Sequence, residues 1–256
     1  MGIMTSATPS TPGLRTIRGL LTGLALATLA ACGGGNDVTP LELQLVQAGQ
    51  ARLKHLRAGK QPTSPPLSRA FLDTVEDPFI EATIERQNQK ANLLLRQRLR
   101  DDQPGEIEVW RTGDNVSLTM RNGVLISTRG LGGNLLSAQV QVAGDQPGPA
   151  SGGAHVMMIR AHDNHELRMA LACEIQDLGP ETIVIVQKPQ VTRHLRQTCI
   201  REKNDTQENT WGDREPGRNG TVINDYWIDS KQGLIWQSRQ WAGPEIGYLL
   251  LRRLTI

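Results

Sequence analysis

Between residues 106 and 128 apolar and polar positions alternate with a period of two. Ile107 and Val109 alternate with Glu106 and Glu108; beyond Gly113-Asp114, Val116, Leu118 and Met120 alternate with Ser117, Thr119 and Arg121. Alternation of this kind turns one side of a strand toward a core and the other toward water. Asn122-Gly123 follows, and both residues tolerate the positive φ of a type I′ turn, so Val124–Thr128 is predicted to return antiparallel. Further along, His155–Ala161 and His165–Gln176 flank Asp163-Asn164, a second hairpin signal, with Leu167, Met169, Leu171, Cys173 and Ile175 on one face. Thr182–Gln187 and Val191–Ile200 make the next pair, with Val191, Leu195 and Cys199 on one face. Thr221–Asp229, Leu234–Trp241 and Tyr248–Leu254 close the chain, joined by Lys231-Gln232-Gly233 and Ala242-Gly243-Pro244. Roughly a dozen such strands predict an all-β fold, mainly an antiparallel meander, closed as a barrel or a sandwich.

Ahead of the strands the pattern changes. Thr39-Pro40-Leu41-Glu42 has the form of a helix start, with Thr39 as cap, Pro40 at the first helical position and Glu42 completing a capping box. Leu41, Leu45, Ala48, Leu53 and Leu56 recur at about helical spacing until Gly59. Gln61–Pro66 is a Pro-rich linker, and Leu67–Thr74 fits one further short helix. The polar stretch Phe79–Arg100 fits helix and strand equally. Ala143–Gly153 is rich in Gly and Pro, marking a long loop or a subdomain boundary, and Glu202–Gly220 reads as a polar surface loop.

The N-terminal segment is an address. Residues 1–19 carry no acid, and Arg15 and Arg18 precede the apolar run Leu20–Leu29. That run falls short of the roughly 20 residues a bilayer span needs, and with its basic flank it fits the apolar region of a secretory signal. Leu29-Ala30-Ala31-Cys32 is a lipobox, in which small residues enter the signal peptidase and the Cys32 thiol accepts diacylglycerol. Residues 1–31 are therefore expected to be removed and residues 32–38 to form a flexible tether, leaving 39–256 as the folded domain. Lipoproteins carry two or three acyl chains, enough for stable anchoring. Gly33 after the cysteine, rather than Asp, sets the default destination as the periplasmic face of the outer membrane.

Charge then matters less than it first suggests. The 28 Lys+Arg and 26 Asp+Glu give a formal charge of +2, and both excess positives, Arg15 and Arg18, lie in the segment to be removed. A formally neutral domain without a basic stripe excludes nucleic acid as the expected partner. With Cys32 taken by lipid, Cys173 and Cys199 remain in an oxidising compartment, where a disulfide is the favoured state; two buried thiols or half of a metal site are the alternatives.

Catalytic motifs are absent: the sequence holds no GxSxG, phosphate loop, HExxH or dinucleotide fingerprint. His162-Asp163-Asn164-His165 with His155 nearby could supply metal ligands, but Asp-Asn is a turn pair and the histidines fit exposed strand ends better. Glu106 and Glu108 share a strand face, as paired glycosidase carboxylates would, yet their alternation with Ile107 and Val109 favours a solvated face. Tyr226, Trp227, Trp236, Trp241 and Tyr248 crowd the C-terminal strands. Trp227, Trp236, Trp241 and Tyr248 could stack on sugar rings, although filling the core is the commoner use of such residues. Arg239 between two tryptophans could make a cation–π contact or a charged lining. Neither a metal nor any cofactor besides the lipid on Cys32 is implied.

Two longer runs carry a resemblance. One is Trp110-Arg111-Thr112-Gly113-Asp114-Asn115 through Asn122-Gly123 to Gly130-Leu131-Gly132, with Leu135-Leu136-Ser137-Ala138 after it. The other is Tyr226-Trp227-Ile228-Asp229, then Gly233 through Trp236-Gln237-Ser238-Arg239-Gln240-Trp241, and Gly243-Pro244-Glu245 to Tyr248. With the lipobox and Leu67-Ser68-Arg69-Ala70, these resemble the YjbF/GfcB family of lipoproteins over nearly all of the chain after Cys32. Gly133-Asn134 departs from it, standing where members carry acidic residues, and the Glu202–Gly220 loop is long. The resemblance implies a β-rich, barrel-like fold and a part in exopolysaccharide or group 4 capsule production. It also implies outer-membrane and periplasmic polysaccharide-secretion proteins as partners, with the polysaccharide itself a further candidate. It transfers no catalytic residue, so the expectation is an assembly, export or binding factor. A polymer-modifying enzyme and a saccharide-binding module are the alternatives.

Overall fold

The computed structural model describes residues 67–144, 146–160, 165–201 and 220–256, all within one compact unit, Gln44–Ile256. The lipobox, the tether, the capping-box helix and the Glu202–Gly220 loop, apart from Gly220, lie outside the described residues. The short helix α1 (Arg69–Leu72) is capped by Ser68, whose Oγ accepts from Phe71 N at 3.2 Å. Twelve strands follow it among the described residues: β1 (Phe79–Ile84), β2 (Gln89–Leu99), β3 (Ile107–Arg111), β4 (Ser117–Arg121), β5 (Val124–Arg129), β6 (Leu135–Gln139), β7 (Gly152–Arg160), β8 (Glu166–Ile185), β9 (Lys188–Arg201), β10 (Thr221–Asp229), β11 (Leu234–Trp241) and β12 (Tyr248–Arg253).

The twelve strands form one antiparallel sheet in the order β5-β4-β3-β2-β1-β12-β11-β10-β9-β8-β7-β6. Every pair of chain neighbours is hydrogen-bonded except β5 and β6, and the first strand meets the last through Ile80↔Arg253 and Ala82↔Leu251. This curls the meander into a nearly closed barrel with a single seam between β5 and β6. Side chains bridge that seam: Ser127 Oγ donates to Leu135 O and Leu136 O at 3.2 Å, and Leu135 N donates to Thr128 Oγ1 at 2.9 Å. The Asn122-Gly123 turn forms as the sequence predicts, with φ of 51° and 82°. A Cβ on Gly123 would fall 2.3 Å from Ile235 Cδ1, so this position admits only glycine without displacement.

The ambiguous stretch Phe79–Arg100 is a strand pair joined by a 3₁₀ turn over Glu85–Gln87 and by Asn88 in left-handed conformation. Its period is blurred because β1 is covered on both faces. Ile80 and Ala82 belong to the interior cluster, while Phe79 on the other face is also buried, as are Leu72 of α1 and Leu94 of β2. Arg69 of α1 reaches the Leu254 carbonyl, holding the helix over this wall. The expected break between Gln176 and Thr182 is a bulge within a continuous β8: Gly179, at φ 93°, shifts the register by one, and its N–H is capped by Asp177 Oδ1 at 2.8 Å. Ala143–Gly153 connects β6 to β7, which pair with each other. Among the described residues no helix is long and apolar enough to cross a membrane.

Candidate functional site

The two barrel ends differ. At the end where β11 passes to β12, Ala242, Gly243, Pro244, Ile246 and Gly247 are all buried and fill the opening. Arg86 pins this loop by donating to Pro244 O at 2.9 Å, and Glu85 pairs with Arg239 at 2.7 Å beside it. The loop also meets Gly133 so closely that a Cβ there would sit 2.3 Å from Glu245 Cβ. An acidic side chain at 133 would therefore need the loop to move.

The opposite end is open. A cavity of about 250 Å³ lies there, with Ile80, Met120 and Leu251 on its walls and Arg98, Glu108 and Arg253 at its charged rim. Glu108 and Trp110 stand two residues apart and therefore share a face of β3. Trp110 is fully buried and belongs to the interior cluster, so Glu108 points inward with it. Solvation of this face is accordingly corrected: the Glu108 side chain is only 12% exposed. It accepts from Trp110 Nε1 at 3.2 Å and from Arg253 Nη2 at 3.1 Å, and Arg98 approaches it at 3.4 Å. Glu106, farther out, pairs with Arg98 and Arg100 at 3.6 and 3.5 Å. Arg253 also lies over the Trp110 ring at 5.1 Å, and burial lowers its pKa against the pull of Glu108.

Above this rim the interior carries a polar cluster. Gln240, 2% exposed, accepts from Leu125 N at 2.8 Å and from Tyr226 OH at 3.2 Å, and donates to Gly123 O and Ser238 Oγ at 2.9 Å. Asn224 donates to Gln197 at 2.9 Å and accepts from Trp241 N at 2.9 Å. Burial raises the Tyr226 pKa, with Asp225 adding to it, so the phenol stays neutral. Through Gln240 this cluster satisfies Leu125 N and Gly123 O at β5, an edge strand of the open seam.

The C-terminal aromatics do not form a platform. Trp236, the bulged residue of β11, and Trp241 are each 4% exposed and offer no ring face to a sugar. Trp227 is half-buried with His194 stacked on it at 4.4 Å, and His194 bridges Glu181 and Asp225 at 2.8 and 2.9 Å. Tyr248 is half-buried beneath Arg239, whose guanidinium sits 3.5 Å from the ring centre. Arg239 therefore makes the cation–π contact with Tyr248, not with either tryptophan. Of the four rings, Trp227 and Tyr248 are the half-buried ones, each with one face engaged.

Cys173 and Cys199 face each other across β8 and β9 and are joined in a disulfide. His155 and His165, grouped by sequence proximity, are separated: His165 is exposed at the hairpin end, whereas His155 is buried roughly 20 Å along the ladder. His162, Asp163 and Asn164 lie outside the described residues, as does Cys32. Sequence reasoning missed Arg253 and Arg98 as partners of Glu108, and His194 as the partner of Trp227. The buried Trp110 two residues from Glu108 was the one local signal that could have turned that face inward.

A family model described as group 4 capsule polysaccharide lipoprotein GfcB, YjbF matches residues 58–254. Among solved structures, the hypothetical lipoprotein YmcC from Escherichia coli K12 is similar, with a TM-score of 0.57 and 18% identity over 74% of this chain and 89% of that one. At that identity the likeness speaks for the fold. Comparison with curated proteins gave no match.

Proposed function

The chain belongs to the YjbF family of group 4 capsule polysaccharide lipoproteins, and from that premise we propose that it serves polysaccharide export as a non-enzymatic assembly or binding factor. Lipid on Cys32 holds it at the periplasmic face of the outer membrane, where outer-membrane and periplasmic secretion proteins are its partners. One observation carries the non-enzymatic reading: among the described residues the two carboxylates that line the cavity, Glu106 and Glu108, are both taken up by arginines. A glycosidase needs one carboxyl group to give a proton and a second to attack or activate water. Carboxylates clamped by guanidinium groups suit recognition better than proton transfer. Deleting the gene and measuring secreted polysaccharide tests the role. Export should fall and return with the wild-type gene, and it should also return with a Glu106→Gln variant. Unchanged output on deletion contradicts the role, and loss of output in Glu106→Gln contradicts its non-enzymatic part.

A further inference from the structure

His155 is an anomaly that the export role does not use. It projects from β7 into the barrel interior, is 6% exposed, and neither ring nitrogen has a hydrogen-bond partner among the described residues. A buried polar group without a partner is costly and calls for an explanation. Burial drives its pKa down to about 4, so the ring is neutral. One of its nitrogens and the Sγ atoms of Cys173 and Cys199 all lie within 4.8 Å of one another.

We propose that Cys173, Cys199 and His155 form a redox-gated site for a borderline-soft divalent cation of the zinc class. While the disulfide stands the site is closed. A dithiol reductant opens it: a reductant thiolate attacks Sγ of Cys173, the half-buried partner, and Cys199 leaves as the thiolate. The second reductant thiol then resolves the mixed disulfide. Two electrons and two protons pass to the cysteine pair, and the reductant leaves as its own disulfide. The cation then displaces the two thiol protons. Zinc–sulfur and zinc–nitrogen bonds of about 2.3 and 2.0 Å place tetrahedral ligand atoms roughly 3.5–3.8 Å apart, so the two sulfurs must part by about 1.7 Å from bonded distance while the imidazole nitrogen closes on them by about 1 Å. Two thiolates, a neutral imidazole and a divalent cation sum to zero charge, which suits an apolar interior. Three protein ligands leave a fourth position for water or a small ligand.

Co²⁺ is the probe, because thiolate coordination gives it a charge-transfer absorption. Protein reduced with dithiothreitol and desalted without oxygen should bind one equivalent with that absorption, and protein with the disulfide intact should not. His155→Phe, which keeps a buried ring, should weaken binding by more than the roughly 10–100-fold that losing a mere outer partner costs. A Cys173→Ser/Cys199→Ser variant, checked by circular dichroism, reports whether the fold survives without the bridge and should give no charge-transfer band. Absence of Co²⁺ binding by reduced wild-type protein, with that variant folded, overturns the proposal. So does reduced His155→Phe binding Co²⁺ as tightly as wild type.

Discussion

Replacing Glu108 with Leu removes three interactions from the barrel mouth at once. Arg253, 12% exposed, loses the carboxylate it donates to, Trp110 Nε1 loses its acceptor, and Arg98 loses one of its two acids. Breaking a buried pair from one side costs about 3–5 kcal/mol, and the proximity to the mouth argues for the lower figure. An unmet Trp N–H adds about 1 kcal/mol. Glu108→Leu is therefore expected to destabilise by about 4 kcal/mol. The reverse change, Arg253→Met, leaves Glu108 with Trp110 and Arg98, and should cost only about 1–2 kcal/mol. The double variant removes both charges and fills the space with apolar atoms, so it should lie within about 2 kcal/mol of wild type rather than near the additive value of about 5–6 kcal/mol. Urea unfolding at pH 7 measures all four corners, provided the slope m stays constant. A Glu108→Leu variant within about 1 kcal/mol of wild type would refute the inward, desolvated placement of Glu108. Additive single effects would refute the pairing.

Three further outcomes follow from buried groups. His155 titrates near 6.5 unfolded and about 4 folded because burial disfavours its charged form, so between those values only the unfolded chain takes the proton. Stability should hold above pH 6.5 and fall by about 3 kcal/mol as pH drops to 4, and urea midpoints should show that slope reduced in His155→Phe; an unchanged slope contradicts the burial argument. Gln240→Leu strands Leu125 N and Gly123 O, while Tyr226 OH keeps Gln197 Oε1 at 3.4 Å, so at about 1–3 kcal/mol each the change should cost at least about 2 kcal/mol. Hydrogen exchange at the Leu125 amide should accelerate, and full protection there would rule out the seam cap. Gly133→Asp should lower the thermal midpoint by a clash with Glu245 worth about 1–3 kcal/mol, and a wild-type midpoint would show that the loop yields freely.

What the sequence disclosed tracks how local each cause is. Asn122-Gly123 encodes its own turn, and alternation from Ile107 onward encodes its own strands, so both appear where expected. The cysteines could be paired because each sits on a strand face legible from its neighbours. Phe79–Arg100 stayed ambiguous because α1 covers the outer wall and both faces of β1 become apolar. Glu108 was read as solvated because its partner Arg253 lies 145 residues away and meets it only when the barrel closes. Trp227 and Trp236 look alike in sequence, and a bulge in β11 decides which one keeps surface. Motif-scale resemblance pointed to the family, and the family carries the capsule role that no single side chain declares.

The central claim is that the barrel works in polysaccharide export while held at the outer membrane through Cys32. Cys32→Ala with secretion kept intact tests it most directly, measuring secreted polysaccharide alongside the membrane and periplasmic fractions. The account predicts a soluble periplasmic domain with the Cys173–Cys199 bridge formed and export reduced toward the deletion level. Full export from that soluble variant would contradict it.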